Sequence, residues 1–133
     1  MEVIGTLVDA STFVMVPFYT NFGRHITLGR NIFINQNCTF LDLGGIIIED
    51  EVIIGPRVKI ISESYLAENS QRKTLVPAAV TIRQGARIGA AAIISPGVTV
   101  GENSVVAPEA VVMMDVPDNV LVSGNPAKVV KLL

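Results

Sequence analysis

Large aliphatic residues recur at every sixth position over the second half of the chain. From residue 82 the sequence reads IRQGARIGAAAIISPGVTVGENSVVAPEAVVMMDVP. The recurring positions are Ile82, Ile88, Ile94, Val100, Val106 and Val112. Small or β-branched residues stand two positions before each of them, at Val80, Ala86, Ala92, Val98, Ser104 and Ala110. Gly, Ala or Ser follows four of the six aliphatic residues, whereas Arg83 and Met113 break that part of the pattern.

A second run with the same spacing lies upstream, at Leu28, Ile34 and Phe40. The phase slips by two residues after the segment LDLGG and resumes at Ile48, Ile54 and Ile60. The next in-phase residue, Ile82, follows after 22 residues, which is not a multiple of six. The pattern therefore predicts that the chain leaves the repeat between the two runs, in a protruding loop over about residues 61–79.

A period of six fits neither an α-helix, which repeats about every 3.6 residues, nor an uninterrupted strand, which repeats about every two. It predicts short flat strands joined by tight turns, with one large aliphatic residue pointing inward in each unit and Gly, Asn or Asp in the turns. Three units form a coil of about 18 residues, and stacked coils form a parallel β-helix. The twelve in-phase positions give about four coils.

We expect one all-β domain over residues 1–133, with a C-terminal tail at about residues 118–133. An antiparallel sandwich of short strands is the alternative, but six consecutive aliphatic residues at one spacing argue against it. Periodicity does not set the handedness of the coils, and ordinary crossover connections are right-handed.

Composition and charge narrow the class of function. The formal net charge is −2 and the ten Lys and Arg residues are scattered, so no cationic field favours nucleic acid as a partner. Cys38 is the sole cysteine, which excludes an intrachain disulfide, and we expect it inside a coil. The N-terminal stretch MEVIGTLVDA has neither a basic segment nor a long apolar core. We therefore expect no signal peptide, no membrane span and a cytoplasmic location.

Two segments resemble a known family. NIFINQNCTFLDLGGIIIEDEVIIGPRV and PGVTVGENSVVAPEAVVMMDVPDNVLVSGNPAKVVK are similar to the hexapeptide-repeat O-acetyltransferases of the maltose and galactoside acetyltransferase group. The resemblance covers about residues 17–131. It implies a left-handed parallel β-helix and a homotrimer with active sites in clefts between subunits. It also implies acetyl-CoA as the donor and a hydroxyl of a sugar or similar small molecule as the acceptor.

By the resemblance, Tyr65 stands at the position of the catalytic base of the family. In the family a single histidine, at the start of a loop that leaves the β-helix, takes the proton of the attacking hydroxyl. A free tyrosine titrates at about pH 10, so a packing or hydrogen-bonding role at the subunit cleft is the alternative for Tyr65. Glu63 is a second candidate, although a solvated loop charge is the simpler interpretation. The sole histidine, His25, stands where the family carries Asn, and we expect a turn or surface role for it.

Other residues match acceptor-side positions of the family. Asn35, in FINQN, matches the Asn that contacts the acceptor hydroxyls, with capping of the turn as the alternative. Asp42, in FLDLGG, matches an Asp near the site, and its alternative is a turn residue beside Gly44 and Gly45. Asn21, in FYTNFG, matches in part a position where the family often has Asp or Ser close to the acceptor.

Donor binding in this family relies on small turn residues and on basic residues near the C-terminus. Ala90 and Ala107 fall at turns along which the pantetheine arm would run, although the fold also demands small residues there. Lys128 and Lys131, in AKVVK, match basic residues that reach the CoA phosphates, with solvated surface charges as the alternative. No cluster has metal-ligand spacing, so we expect no metal.

Two functions remain open from the sequence. The acceptor segment and the basic C-terminal motif favour an acetyl-CoA-dependent O-acetyltransferase with a changed base. The replaced histidine favours a trimeric binding or scaffold protein without catalysis, as does the expected absence of the helical segment that many members carry before the β-helix. The VWIG motif of the family reads ARIG here, and Arg83 and Arg87 add unusual positive charge.

Overall fold

Short strands alternate with tight turns along the chain, as the six-residue period predicted. The computed structural model describes residues 8–65 and 75–133, among which there are strands and turns but no helix. The strands of the first half are β1 (Phe13–Val14), β2 (Phe18–Thr20), β3 (Ile26–Leu28), β4 (Phe33–Ile34), β5 (Cys38–Leu41), β6 (Ile46–Ile48), β7 (Ile53–Ile54), β8 (Lys59–Ile61) and β9 (Glu63–Tyr65). Those of the second half are β10 (Leu75–Pro77), β11 (Val80–Ile82), β12 (Arg87–Ile88), β13 (Ile93–Ile94), β14 (Thr99–Val100), β15 (Val105–Val106), β16 (Val111–Val112), β17 (Val120–Gly124) and β18 (Ala127–Leu132).

Parallel pairing sorts most of these strands into three faces. Face A contains β1, β4, β7, β12, β15 and β17; face B contains β2, β5, β8, β13 and β16; face C contains β3, β6, β11 and β14. Successive strands run from face A to face B to face C, so that each circuit is one coil of a β-helix. The stack has about five coils rather than the predicted four, because β1, β2 and β17 add rungs beyond the twelve in-phase positions.

The in-phase aliphatic residues form one ladder along the inside of each face. In face A, Ile34 pairs with Ile54, which pairs with Ile88, which pairs with Val106. The corresponding ladder of face B contains Phe40, Ile60, Ile94 and Val112. That of face C contains Leu28, Ile48, Ile82 and Val100. The register therefore confirms the predicted repeat at all twelve positions.

Each unit buries a second residue besides the predicted large aliphatic one. Side chains alternate along a strand, so the residue two positions before each ladder residue points the same way. Among those residues, Ala86, Ala92 and Ala110 have no exposed surface. Small or β-branched residues at these positions let the ladders of three faces meet in one continuous core.

The predicted C-terminal tail is a folded hairpin in the structure. β17 continues face A by parallel pairing with β15, and it also pairs antiparallel with β18. A bulge interrupts the second pairing between Leu121 and Val122. Because Val122 is buried, the hairpin extends the core of face A by one rung beyond Val106.

The second residue of many turns takes a left-handed backbone conformation. Asn31, Asn37, Asn103 and Asn119 do so with φ between 55° and 63°. The same conformation occurs at Glu51, Arg57, Ala91 and Glu109. For most residues other than glycine, this conformation costs about 1–2 kcal/mol. Asparagine partly avoids that cost by local hydrogen bonding. The regular stacking of coils therefore overrides local preference at these positions.

Glu109→Asn is expected to raise the free energy of unfolding by about 0.5–1 kcal/mol, because asparagine tolerates the observed φ better than glutamate does. The φ of Glu109 is 64°. Urea unfolding followed by circular dichroism measures the change. Asn37→Ala is the reciprocal control and should lower stability by a similar amount. Unchanged midpoints in both variants would contradict the assignment of backbone strain to these turns.

Across residues 8–65 and 75–133, no helix is long and apolar enough to cross a bilayer. Within the same ranges, no three His, Cys, Asp or Glu side chains are grouped as metal ligands. Cys38 is buried inside a coil, as predicted, and its thiol donates to the carbonyl oxygen of Gly55 at 3.2 Å. Burial raises the pKa of the Cys38 thiol above its ordinary value.

Candidate active site

A hairpin of β9 and β10 leaves the coil between faces B and C, where the sequence predicts the protruding loop. The two strands pair antiparallel, with Glu63 opposite Pro77. Ser62 fixes the base of the hairpin, since its hydroxyl donates to the carbonyl oxygen of Leu41 at 2.6 Å. The backbone N–H of Ala78 donates to the Ser62 carbonyl oxygen at 2.7 Å. The two ends of the hairpin are therefore joined to each other and to β5.

Gly44 lies directly against the base of the hairpin. Its backbone N–H donates to the hydroxyl of Ser62 at 2.9 Å. A Cβ atom on Gly44 would overlap the carbonyl oxygen of Ser62 and lie 2.7 Å from the backbone nitrogen of Ala78. The glycine in LDLGG, at the point where the repeat slips in phase, thus allows the hairpin to approach the preceding coil.

Asp42 is fully buried and organises the loop of residues 21–25. Its carboxylate accepts hydrogen bonds from the backbone N–H of Phe22 at 3.1 Å and from that of His25 at 2.9 Å. The N–H of Gly23 lies 2.9 and 2.8 Å from the two carboxylate oxygens. Both oxygens are therefore committed to backbone donors. The geometry gives Asp42 the task of holding this loop.

The loop joins the hairpin through Asn21. The Asn21 Oδ1 atom accepts from the backbone N–H of Asp42 at 3.0 Å, and its Nδ2 group donates to Glu63 Oε1 at 2.7 Å. Because a backbone N–H only donates and a carboxylate accepts, the two contacts fix the orientation of the amide. Asn21, Asp42 and Glu63 thus form one hydrogen-bonded group, which we call the hairpin cluster.

The interpretation of Glu63 as a solvated loop charge is wrong. Only 8% of the residue is exposed, because it lies in the paired base of the hairpin and beside Asn21. A carboxylate withdrawn from water requires compensating hydrogen bonds. The amide of Asn21 supplies one of them. A buried carboxylate therefore lies two residues before the position that corresponds to the catalytic histidine of the resembling family.

His25 lies on the same loop and is exposed, as its predicted turn or surface role requires. Its Nδ1 atom lies 2.9 Å from the carbonyl oxygen of Leu43. A carbonyl only accepts, so Nδ1 is the donor in this contact. The ring tilts against Phe22 with a centroid distance of 4.6 Å. The backbone N–H of His25 donates to Asp42, whereas its imidazole ring makes no hydrogen bond to the hairpin cluster within the described part of the chain.

Asn35 lies at a different corner, where the chain turns from face A to face B. Its Oδ1 atom accepts from the backbone N–H of Gln36 at 2.7 Å, in agreement with the turn-capping alternative. Ala90 and Ala107 are half-buried at the same corner in later coils. The backbone carbonyl of Ala90 accepts from the N–H of Glu109 at 2.8 Å, which ties neighbouring turns together. These three predicted residues therefore follow one edge of the β-helix.

The two predicted phosphate-binding lysines lie on β18, and both are exposed. Lys128 pairs with Ser123 and Lys131 pairs with Leu121. Lys128 also lines a cavity of about 320 Å³ whose other walls include Met114, Val116 and Val129. The cavity combines a mainly apolar lining with one cationic side chain, Lys128, and one anionic side chain, Asp115.

Apart from the two lysines on β18, the predicted site residues divide between two corners of the chain. The corner between faces B and C holds Asn21 and Asp42. The corner between faces A and B holds Asn35, Ala90 and Ala107. The backbone of Tyr65 belongs to β9, opposite Leu75, but its side chain lies outside the described part of the structure. One chain therefore does not bring the two predicted acceptor-binding asparagines into one site.

Arg83, which the sequence marks as an unusual positive charge, is engaged in ion pairs. Its guanidinium lies 2.8 Å from the carboxylate of Glu102 and 3.9 Å from that of Glu49. All three side chains are partly exposed, so the pairs add little to stability. Their effect is to neutralise the charge of Arg83 on the outside of face C.

Sequence reasoning missed the anchoring role of Ser62 and the burial of Glu63. A signal for Ser62 was present in the repeat, since Asp42 and Ser62 each stand two positions after a ladder residue of face B. Both side chains are fully buried. A polar residue at an inward position indicates a buried group with hydrogen-bond partners. No comparable signal marks Glu63, because its burial depends on a loop from the preceding coil.

Comparison with known proteins gives a family model and several relatives. The model for bacterial transferase hexapeptide (six repeats) matches residues 79–113. A protein of Saccharomyces cerevisiae is 36% identical over 132 residues, which cover 98% of this chain and 67% of that protein. The galactoside O-acetyltransferase of Escherichia coli is 33% identical over 126 residues, which cover 93% of this chain and 62% of that enzyme.

Solved structures of acetyltransferases are also similar to this chain. A hexapeptide-repeat-containing acetyltransferase from Vibrio cholerae, complexed with acetyl-CoA, superimposes with a TM-score of 0.89 at 36% identity, covering 92% of this chain and 68% of that one. A galactoside acetyltransferase in complex with CoA gives 0.87 at 32% identity, covering 92% and 64%. This chain therefore spans about two thirds of the length of these relatives. These solved structures are left-handed β-helices. Because coils of opposite hand do not superimpose, the agreement confirms the predicted left-handed parallel β-helix of this chain.

Proposed function

Because this chain belongs to the hexapeptide-repeat acetyltransferase family, we propose that it transfers the acetyl group of acetyl-CoA to a hydroxyl of a sugar or similar small molecule. The observation that carries the proposal is the likeness to the Vibrio cholerae acetyltransferase over 92% of this chain, since that structure holds acetyl-CoA. The polar hairpin cluster supports it, because acyl transfer requires oriented polar groups beside the reacting atoms.

On the acceptor side, the two asparagines supply different groups. Asn35 uses its oxygen to cap the turn, so its Nδ2 group is the part that would donate to an acceptor hydroxyl. Asn21 is held from both ends by Asp42 and Glu63 and would present the edge of its amide. Asp42 acts indirectly, by fixing the loop that carries Asn21.

The active protein is proposed to be a homotrimer with its sites between subunits. The support is the division of the predicted residues between two corners, since a site that contains Asn21 and Asn35 requires the corners of two chains. The outward row of face A carries apolar side chains for such packing, with Phe13 66% and Ile53 39% exposed, and the exposed Arg87 lies next to Ile53 in the same row. A second copy of this chain would cover that row.

On the donor side, Lys128 and Lys131 are proposed to bind the phosphates of CoA. Both are exposed cations on one strand, and Lys128 borders the mainly apolar cavity near Met114. Ala90 and Ala107 would let the pantetheine arm lie close to the coil edge. A lysine acts on phosphate as a point charge, so the contribution of each should weaken as salt concentration rises.

A non-catalytic trimeric binding or scaffold protein is the second candidate. One observation favours it: residues 62–79, which include the hairpin, contain no histidine. Such a protein would keep the fold and a ligand cleft without turnover. Thiol release from acetyl-CoA separates the two candidates.

Purified protein is expected to release CoA thiol from acetyl-CoA in the presence of at least one acceptor from a panel of sugars and small alcohols. Lys128→Ala should raise the KM for acetyl-CoA several-fold with little change in kcat, because it removes ground-state binding to phosphate. Lys59→Ala is the matched control, since Lys59 is an exposed lysine on face B and away from β18. Spectrophotometric thiol detection measures both variants.

The outcomes distinguish the candidates. CoA binding by calorimetry without thiol release for any acceptor would support the binding protein. If the protein neither binds CoA nor releases thiol, the proposed acetyltransferase function is wrong. Sedimentation should give three times the chain mass of 14.2 kDa. A monomeric protein with full activity would contradict sites built between subunits.

A further inference from the structure

Glu63 is a buried carboxylate at the base of the hairpin that no matched position of the family accounts for. It is 8% exposed, and its Oε1 atom accepts from Asn21 Nδ2 at 2.7 Å. We propose that Glu63 is the general base of this protein and replaces the histidine that the family carries two residues later. The proposal rests on the proposed acetyl transfer.

The orientation of the Glu63 carboxylate is set by a chain of contacts that begins in the coil. Asp42 fixes the loop of residues 21–25 through three backbone N–H groups. The backbone N–H of Asp42 then holds the oxygen of Asn21, which turns the Nδ2 group toward Glu63. An activated base is typically oriented by a third group in this way. Asn21 is therefore the positioning residue of the pair.

The location of the carboxylate fits the role of a base. Asn21, which contacts it directly, is one of the residues proposed above to bind the acceptor. β9 carries Glu63 at the paired base of the hairpin, opposite Pro77, so its backbone is fixed by strand pairing. Only Oε1 of the carboxylate bonds to another described residue, whereas Oε2 makes no hydrogen bond within that part of the chain. Oε2 is the atom that we assign to the acceptor hydroxyl.

The carboxylate of Glu63 can both accept and return the proton that the transfer requires. The ionised Glu63 takes the hydroxyl proton as the acceptor oxygen attacks the thioester carbonyl carbon and the C–O bond forms. The tetrahedral intermediate then collapses, and its C–S bond breaks. The carboxyl proton of Glu63 passes to the departing sulfur, which yields CoA thiol and restores the carboxylate. No metal or redox partner enters either step.

Glu63→Gln is the decisive variant, because glutamine keeps the size of the side chain and an oxygen that accepts from Asn21. We expect kcat/KM to fall by about 10²–10⁴-fold, the usual effect of removing a general base. CoA affinity by calorimetry and the thermal midpoint should stay at the wild-type values.

Two further variants make the assignment specific. Glu63→Asp keeps a carboxylate at shorter reach and should retain more activity than Glu63→Gln. His25→Asn is the matched control, since asparagine can still donate to the carbonyl oxygen of Leu43, and its activity should remain at the wild-type value.

Each other outcome overturns a stated claim. If the wild type transfers acetyl groups and Glu63→Gln does so equally well, the assignment of the base is wrong while the proposed function stands. If His25→Asn loses as much activity as we expect for Glu63→Gln, the base is His25. If the wild type releases no thiol with any acceptor, the proposed function fails and the assignment fails with it.

Discussion

Asp42→Ala is expected to lower the free energy of unfolding by about 3–5 kcal/mol, since it leaves three backbone donors without an acceptor at about 1–3 kcal/mol each. These donors are the N–H groups of Phe22, Gly23 and His25, gathered on one buried carboxylate. The loop would no longer hold Asn21 in place, so acetyl transfer should fall as well. Urea unfolding measures the stability loss, and thiol release measures the effect on activity.

Two controls bracket this result. Asp42→Asn keeps one acceptor oxygen and should destabilise less than alanine does. Asp50→Ala removes an exposed aspartate that accepts from the N–H of Arg30 at 2.8 Å, and it should cost only about 1 kcal/mol. If Asp42→Ala destabilised no more than Asp50→Ala, the loop would not depend on the buried carboxylate.

Gly44→Ala is expected to reduce acetyl transfer by about 10²-fold, because a displacement of about 1 Å in a catalytic element has effects of that size. The added Cβ would overlap the Ser62 carbonyl oxygen, and the atoms that it meets are backbone at both ends of the hairpin. The hairpin must therefore move away from the coil. Crowding of this kind also destabilises by about 1–3 kcal/mol. Steady-state kinetics and urea unfolding measure the two effects.

Gly45→Ala is the matched control for the hairpin contact. Gly45 has a φ of +99°, so alanine there is strained. However, the nearest atom to the added Cβ would be the Cβ of Ala79, at 3.8 Å. We expect a stability loss of about 1–2 kcal/mol from the backbone conformation, with acetyl transfer nearly unchanged. Equal kinetic effects of the two substitutions would show that contact with the hairpin base does not explain the loss in Gly44→Ala.

The repeated core was predictable because every coil must bury the same positions. A six-residue period is enough to identify the ladder residues of all three faces, and the 22-residue gap after Ile60 locates the hairpin. Turn conformations were less predictable, since Glu51 and Arg57 adopt the left-handed conformation that favours glycine or asparagine. Stacking on neighbouring turns decides the backbone there.

The hairpin cluster could not be predicted from the sequence pattern. Asn21 and Glu63 are separated by 42 positions, and Asp42 holds the loop that places Asn21 beside the hairpin. Asp42 and Asn35 were singled out by resemblance, but the structure gives their oxygens to backbone N–H groups. Periodicity reports which side of a strand faces the core. It does not report which polar groups meet outside it.

If the proposed function is correct, the stacking of equal coils would set the distance between the hairpin and the lysines on β18. The hairpin leaves the stack after β8, and face B has two further rungs beyond it, β13 and β16. Rungs are spaced by about 4.8 Å, so these two rungs add about 10 Å toward the end that carries Lys128. An inserted coil would lengthen that interval by one rung without altering either end, because each coil contacts only its neighbours. The number of coils, rather than any single side chain, would then select how long a donor the protein accepts.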